Sequence, residues 1–98
     1  MTDLIRENLP EIRKICQEES VAYLALFGSQ ARDDARPNSD IDMLVRFNPA
    51  VDHGLTNVIK TEDRLRQLLN QDIDLVPTDS LDKYIAPYIQ NDLKVIYE

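Results

Sequence analysis

A chain of 98 residues is one small domain's worth of polypeptide, able to bury only about two-thirds of its unfolded surface in a single modest core. With 43% apolar, 30% charged and 6% aromatic residues its composition is globular, which excludes a disordered chain, a collagen-like fibre and a coiled-coil rod. Eleven Lys and Arg against 18 Asp and Glu leave a net charge of −7, which argues against a broad basic face for a nucleic-acid backbone, so no direct nucleic-acid binding is expected.

The acidity itself suits solubility, a basic protein partner or a site loaded with divalent cations, and chooses none of these. The longest apolar run, Val21 to Phe27, falls far short of the ~20 residues that span a bilayer, so no membrane segment is expected. The opening residues lack the basic and apolar regions of a signal peptide. A lone cysteine, Cys16, cannot form an intramolecular disulfide and fits a reducing compartment. The expectation is one cytoplasmic domain over residues 1–98.

In chain order, Leu4, Ile5, Leu9, Ile12, Ile15 and Cys16 recur at helical intervals and predict a helix from Asp3 to about Glu19, capped by Thr2 or Asp3. Pro10 should kink that helix or split it in two. Val21 to Phe27, stopped by Gly28, reads as a strand buried on both faces. Arg36-Pro37-Asn38-Ser39 is a turn signal, and Ile41 to Phe47, closed by Asn48-Pro49, reads as a second strand. After a polar loop around His53-Gly54, residues Leu55, Val58, Ile59, Leu65, Leu68 and Leu69 trace the stripe of a helix. Asp72 to Val76 predicts a third strand ended by Pro77, a short helix follows near Leu81 to Ala86, and Lys94 to Tyr97 has β character. This order predicts an α/β (α+β) fold, a small mixed β-sheet with helices packed on it.

The chemistry concentrates in Leu26-Phe27-Gly28-Ser29-Gln30-Ala31-Arg32 and Ser39-Asp40-Ile41-Asp42. Gly28 ends a buried strand where the backbone must turn or approach a ligand closely. Ser29 offers a hydroxyl and an amide at a candidate helix start, where free N–H groups suit a phosphate. Arg32, one turn on, can meet the same phosphates with a bidentate fork. Asp40 and Asp42 stand two apart on one strand, so both carboxylates leave the same face with α-carbons ~6.7 Å apart. That spacing suits one or two Mg²⁺ ions, which favour carboxylates plus substrate phosphates. A phosphate-binding turn beside metal-binding carboxylates is the equipment of phosphoryl or nucleotidyl transfer.

Gly28-Ser29, ten residues, then Asp40-Ile41-Asp42 resembles the signature of the DNA polymerase β-type nucleotidyltransferase superfamily. The short length and the wording Phe-Gly-Ser-x-Ala-Arg resemble its minimal nucleotidyltransferases (MNT), of the kind paired as antitoxins with HEPN-domain ribonuclease toxins. The resemblance runs from about Val21 to Val76. It implies a polymerase β-like core in which Asp40 and Asp42 hold two Mg²⁺. A third carboxylate, best matched by Asp74 with Asp72 as its rival on the same strand face, completes the metal that activates the attacking hydroxyl. By the same resemblance Gly28, Ser29 and Arg32 hold the β- and γ-phosphates of ATP, and pyrophosphate leaves after in-line attack on the α-phosphorus. Larger members bind the second substrate with an added helical domain, for which these residues leave no room. The implied acceptor is therefore a protein, a tyrosine of a HEPN toxin that receives AMP and loses its ribonuclease activity.

Asp74 sits between apolar neighbours, where an aspartate is costly unless paired or metal-bound. The family often carries glycine after Ala-Arg, whereas this chain has Asp33 and Asp34; these either face solvent or weaken nucleotide affinity. His53 lacks companion ligands for a transition metal. Cys16 and Tyr23 read as packing residues, Tyr84, Tyr88 and Tyr97 as a mixture of packing and interface. Glu62, Asp63, Arg64 and Arg66 read as a solvated helix face. Two rival functions remain: an antitoxin that acts by binding alone, and a nucleotidyltransferase for a small-molecule acceptor.

Overall fold

Asn8 divides the first helical stretch into α1 (Asp3–Glu7) and α2 (Leu9–Glu18). The Asn8 side chain donates to the Leu4 carbonyl at 2.8 Å, answering one of the acceptors left open at the end of α1. Its own carbonyl accepts from the Ile12 amide at 2.9 Å and so starts α2. Pro10 then falls in the first turn of α2, where its missing N–H has no intrahelical partner to lose. The proline thus splits the stretch, with the break two residues earlier. The computed structural model describes residues 3–27, 41–50, 55–78 and 93–98. The predicted helix near Leu81 to Ala86, His53, Tyr84 and Tyr88 lie outside them.

Strands β1 (Val21–Phe27) and β2 (Ile41–Phe47) and helix α3 (Leu55–Leu69) have the predicted bounds. Strand β3 runs Ile73–Pro77, one residue later than Asp72 to Val76, and β4 is Lys94–Tyr97. Pro77 is the last residue of β3 and pairs with Val45, which an edge strand permits because its outer side needs no ladder donor. The strand order is β3-β2-β1-β4. β1 is antiparallel to both β2 and β4, and β2 is parallel to β3 through the α3 crossover. This is the small mixed sheet that the sequence predicts.

The main core lies on one sheet face, with Ala25 and Leu44 buried on the other. Leu24 and Leu26 of β1, Ile41, Met43, Val45 and Phe47 of β2, Ile73 and Leu75 of β3 and Ile96 of β4 pack in one cluster with Ile5, Ile12, Ile15, Cys16, Leu65 and Leu69 of the helices. Val21 joins that face despite its odd spacing from Leu24. The register advances by two on β1 and one on β2 between Val21/Phe47 and Tyr23/Arg46, so Ala22 is a bulge that re-aims the start of the strand. β1 is thus largely buried, although Ala22, Tyr23 and Phe27 are only half-buried.

Two non-glycine residues, Ser20 (φ 61°) and Asn70 (φ 53°), adopt the left-handed conformation that follows α2 and α3. The Ser20 carbonyl accepts from the Asn48 amide at 2.8 Å, pinning the chain beyond β2. Arg64 reaches from α3 to Glu18 at 2.8 Å and to the nearly buried Glu19 at 3.1 Å, with Lys60 at 3.6 Å from Glu19. The Arg64 hydrogen bond holds the Glu18 carboxyl below its ordinary range, so this tie persists above that range and is lost as pH falls through the lowered value. The charged residues of α3 are therefore not merely solvated. They fasten it to α2 here and to β3 as described below.

Cys16 is fully buried, and burial pushes its thiol up to about 12. At pH 8 only about 10⁻⁴ of it is thiolate, so native protein is expected to resist a thiol reagent that labels the urea-unfolded chain. Labelling at equal rates in both states would contradict this packing. The same shift makes folding less favourable between about pH 9 and 12, as the unfolded thiol ionises and the buried one does not. Among the described residues no helix is long and apolar enough to cross a membrane.

Candidate functional site

The face of the sheet opposite the helices brings carboxylates together. Asp42 and Asp74 are the second residues of β2 and β3 and stand directly beside each other in the parallel register. Adjacent strands lie ~4.8 Å apart, and register partners project to the same face. Asp42 is half-buried and Asp74 exposed, while their neighbours Ile41, Met43, Ile73 and Leu75 are all buried on the other face. The apolar neighbours of Asp74 therefore do not bury its carboxylate. They follow from strand alternation, and the carboxylate stands in the open.

Two like charges beside each other on neighbouring strands repel. The core does not need this pair, and its arrangement fits a hard divalent cation, which takes carboxylate oxygens and tolerates water on its remaining positions. Among the described residues no group of three acidic, histidine or cysteine side chains forms a complete cation cage.

Asp72, the rival of Asp74, is also exposed. It precedes β3, and its carbonyl accepts from the Ile41 amide at 2.9 Å. With Arg66, Asn70 and Gln71 it lines a depression at the α3–β3 connection. Register thus sets Asp74, not Asp72, against Asp42. Gly28, Ser29, Arg32, Asp40, Asp33 and Asp34 lie outside the described residues. The chain enters Gly28-Ser29 directly from Phe27, which is register-paired with Asp42 on the other side of β2. Further along β1, Tyr23 is half-buried with the Arg46 guanidinium 5.9 Å from its ring centroid, a cation–π contact.

A second group at this edge, which the sequence reads as a solvated helix face, instead bonds the backbone of β3. Glu62 Oε2 accepts from the Leu75 amide at 3.0 Å, and Glu62 Oε1 lies 2.7 Å from Arg66 Nη2. Arg66 Nη2 also donates to the Ile73 carbonyl at 3.2 Å, and Nη1 to Asp63 at 3.2 Å. The Glu62/Arg66 spacing of four was a visible helix-pair signal. That the pair faces a strand edge depends on tertiary packing.

Residues 9–96 match the sequence profile of the nucleotidyltransferase domain family. The chain is 34% identical over 91 residues, 91% of each sequence, to "Putative protein adenylyltransferase MJ1217" of Methanocaldococcus jannaschii. It is 34% identical over 74 residues to protein adenylyltransferase MntA of Thermococcus cleftensis, covering 76% of this chain and 73% of that one. In structure it is similar to a "putative minimal nucleotidyltransferase" (TM-score 0.82, 25% identity, 95% of each chain). It shares its fold with a chain from the complex of a tri-AMPylated Shewanella oneidensis HEPN toxin with MNT antitoxin (TM-score 0.69, 21% identity, 94% of this chain and 71% of that chain). The profile match and the identity across nearly the whole chain establish that this protein belongs to the nucleotidyltransferase domain family.

Proposed function

We propose that this protein is an antitoxin that transfers AMP from ATP to a tyrosine of a partner HEPN-domain toxin and thereby inactivates it. The observation that carries the reading is the Asp42–Asp74 register pair on the sheet face opposite the helices. Relatives named protein adenylyltransferases and the shared fold of an antitoxin complexed with an AMPylated HEPN toxin support it further.

In this reading the tyrosine oxygen forms a bond to the α-phosphorus of ATP, the bond to the β-phosphate oxygen breaks, and pyrophosphate departs with the phenolic proton released to solvent. Gly28, Ser29 and Arg32 hold the β- and γ-phosphates. Asp40, Asp42 and Asp74 would hold Mg²⁺, which when bound lowers the pKa of the attacking hydroxyl and offsets charge on the transferring group. The in-register strands fix Asp42 and Asp74 without loop rearrangement, so these carboxylates need little reorganisation as the substrates arrive. AMP on a tyrosine adds negative charge and bulk, which opposes binding of an RNA backbone.

Co-expression with the toxin tests this reading against inhibition by binding alone. Wild-type chain is expected to restore growth, and Asp42→Asn and Asp74→Asn are expected to fail while still co-purifying with the toxin. Full neutralisation by both variants would move the assignment to binding alone.

A further inference from the structure

We infer that Glu62 and Arg66 are positioning residues that clamp the outer edge of β3 and so hold Asp74 against Asp42. The inference rests on the reading of Asp74 as the third carboxylate of the site. β3 is an edge strand, and successive residues of a strand direct their backbone groups to alternate sides. Those of residues 72, 74 and 76 face β2, and the Asp72 carbonyl is bonded to the Ile41 amide at 2.9 Å. Those of residues 73 and 75 face outward, where an edge strand ordinarily meets only water or another chain.

Here both outward groups that flank Asp74 are occupied. The Leu75 amide donates to Glu62 Oε2, Glu62 Oε1 pairs with Arg66 Nη2, and Nη2 donates to the Ile73 carbonyl, at 3.0, 2.7 and 3.2 Å. The bonds close a ring from α3 around the peptide groups on each side of Asp74. Each link involves a charged partner, the stronger class of hydrogen bond. The Glu62 side chain is only 17% exposed, so water competes weakly for its oxygens. A slip of one residue would turn Asp74 toward the helices; with both flanking groups bonded, the strand resists such a slip and local fraying. Outer-shell contacts of this kind typically govern metal affinity by 10–100-fold.

The clamp could serve the edge alone, and a double-mutant cycle separates the two roles. Mn²⁺ is titrated into the full chain with AMP-PNP present, free Mn²⁺ is followed by its EPR signal, and thermal unfolding is measured in parallel. Glu62→Ala is expected to weaken Mn²⁺ binding at least about tenfold, whereas Glu62→Gln, which keeps an acceptor for the Leu75 amide, stays within about threefold. In an Asp74→Asn background Glu62→Ala is expected to change Mn²⁺ affinity no further. Equal weakening in both backgrounds, or undiminished binding by folded Glu62→Ala, would overturn the clamp while leaving the site reading intact. Unchanged affinity in Asp74→Asn alone would overturn the site reading and the clamp with it. Should Glu62→Ala fail to fold, hydrogen exchange of the wild-type chain decides: the Leu75 amide is expected to be protected, and exchange at the free-peptide rate would overturn the clamp.

Discussion

Asp42→Asn is expected to lower the rate of adenylyl transfer by about 10³-fold or more, a barrier increase of ~4 kcal/mol, while the chain remains folded. The size follows from what the side chain would do. Its carboxylate stands in register with Asp74, and in the proposed reaction it holds the cation that balances charge gathering on the transferring phosphoryl group. Asparagine has nearly the same shape but contributes no charge, so binding of the partner protein should survive. Stability should also survive, because asparagine keeps the size and the hydrogen-bonding oxygen of the side chain. Single-turnover transfer to the partner, with thermal unfolding in parallel, checks both halves. Activity within tenfold of wild type in a folded variant would remove Asp42 from the machinery.

Leu24→Ala is expected to be the opposite kind of variant, with its effect on stability. Leu24 is fully buried, lies at the middle of β1, and pairs with Val45 of β2 on one side and Tyr97 of β4 on the other. Truncating such a leucine costs ~2–5 kcal/mol of transfer and cavity energy, against a total of ~5–15 kcal/mol for a domain. For a chain of this size each kcal/mol lowers the Tm by about 4–8 °C, so a fall of roughly 10–30 °C is expected. Val95 on the neighbouring edge strand is 49% exposed, and Val95→Ala should stay within about 0.5 kcal/mol. Thermal unfolding followed by circular dichroism measures both. Equal effects of the two substitutions would contradict the placement of Leu24 in the main core.

The elements that proved legible in the sequence are those whose pattern is dense. The run Val21 to Phe27, the run Ile41 to Phe47 and the helical stripe from Leu55 to Leu69 declare themselves locally, because each must bury a face whatever its neighbours do. Pro10 announced a break, yet the break falls at Asn8, whose side chain can close one helix while its carbonyl opens the next. Pro77 marks the end of β3 as its residue type suggests, yet it still pairs with Val45, because β3 is an edge strand and edge position is a property of the sheet order. The same limit governs the site. Spacing by two puts Asp72 and Asp74 on one strand face; the family resemblance favours Asp74, and the register of β3 against β2 sets it beside Asp42. Glu62 and Arg66 looked like ordinary surface charge because their partners are backbone groups of a strand seven to thirteen residues away, invisible to any pattern of side chains. The phosphate-binding turn expected at Gly28, Ser29 and Arg32 lies outside the described residues and rests on its sequence motif alone.

Intact-mass spectrometry of the proposed HEPN partner tests the central claim most directly, after incubation with this chain, Mg²⁺ and each nucleoside triphosphate in turn. A mass gain of one or more AMP units with ATP, absent with Asp42→Asn and when the metal is chelated, is the predicted result. An unchanged partner that nonetheless co-purifies with this chain and is inhibited by it would contradict the transferase account.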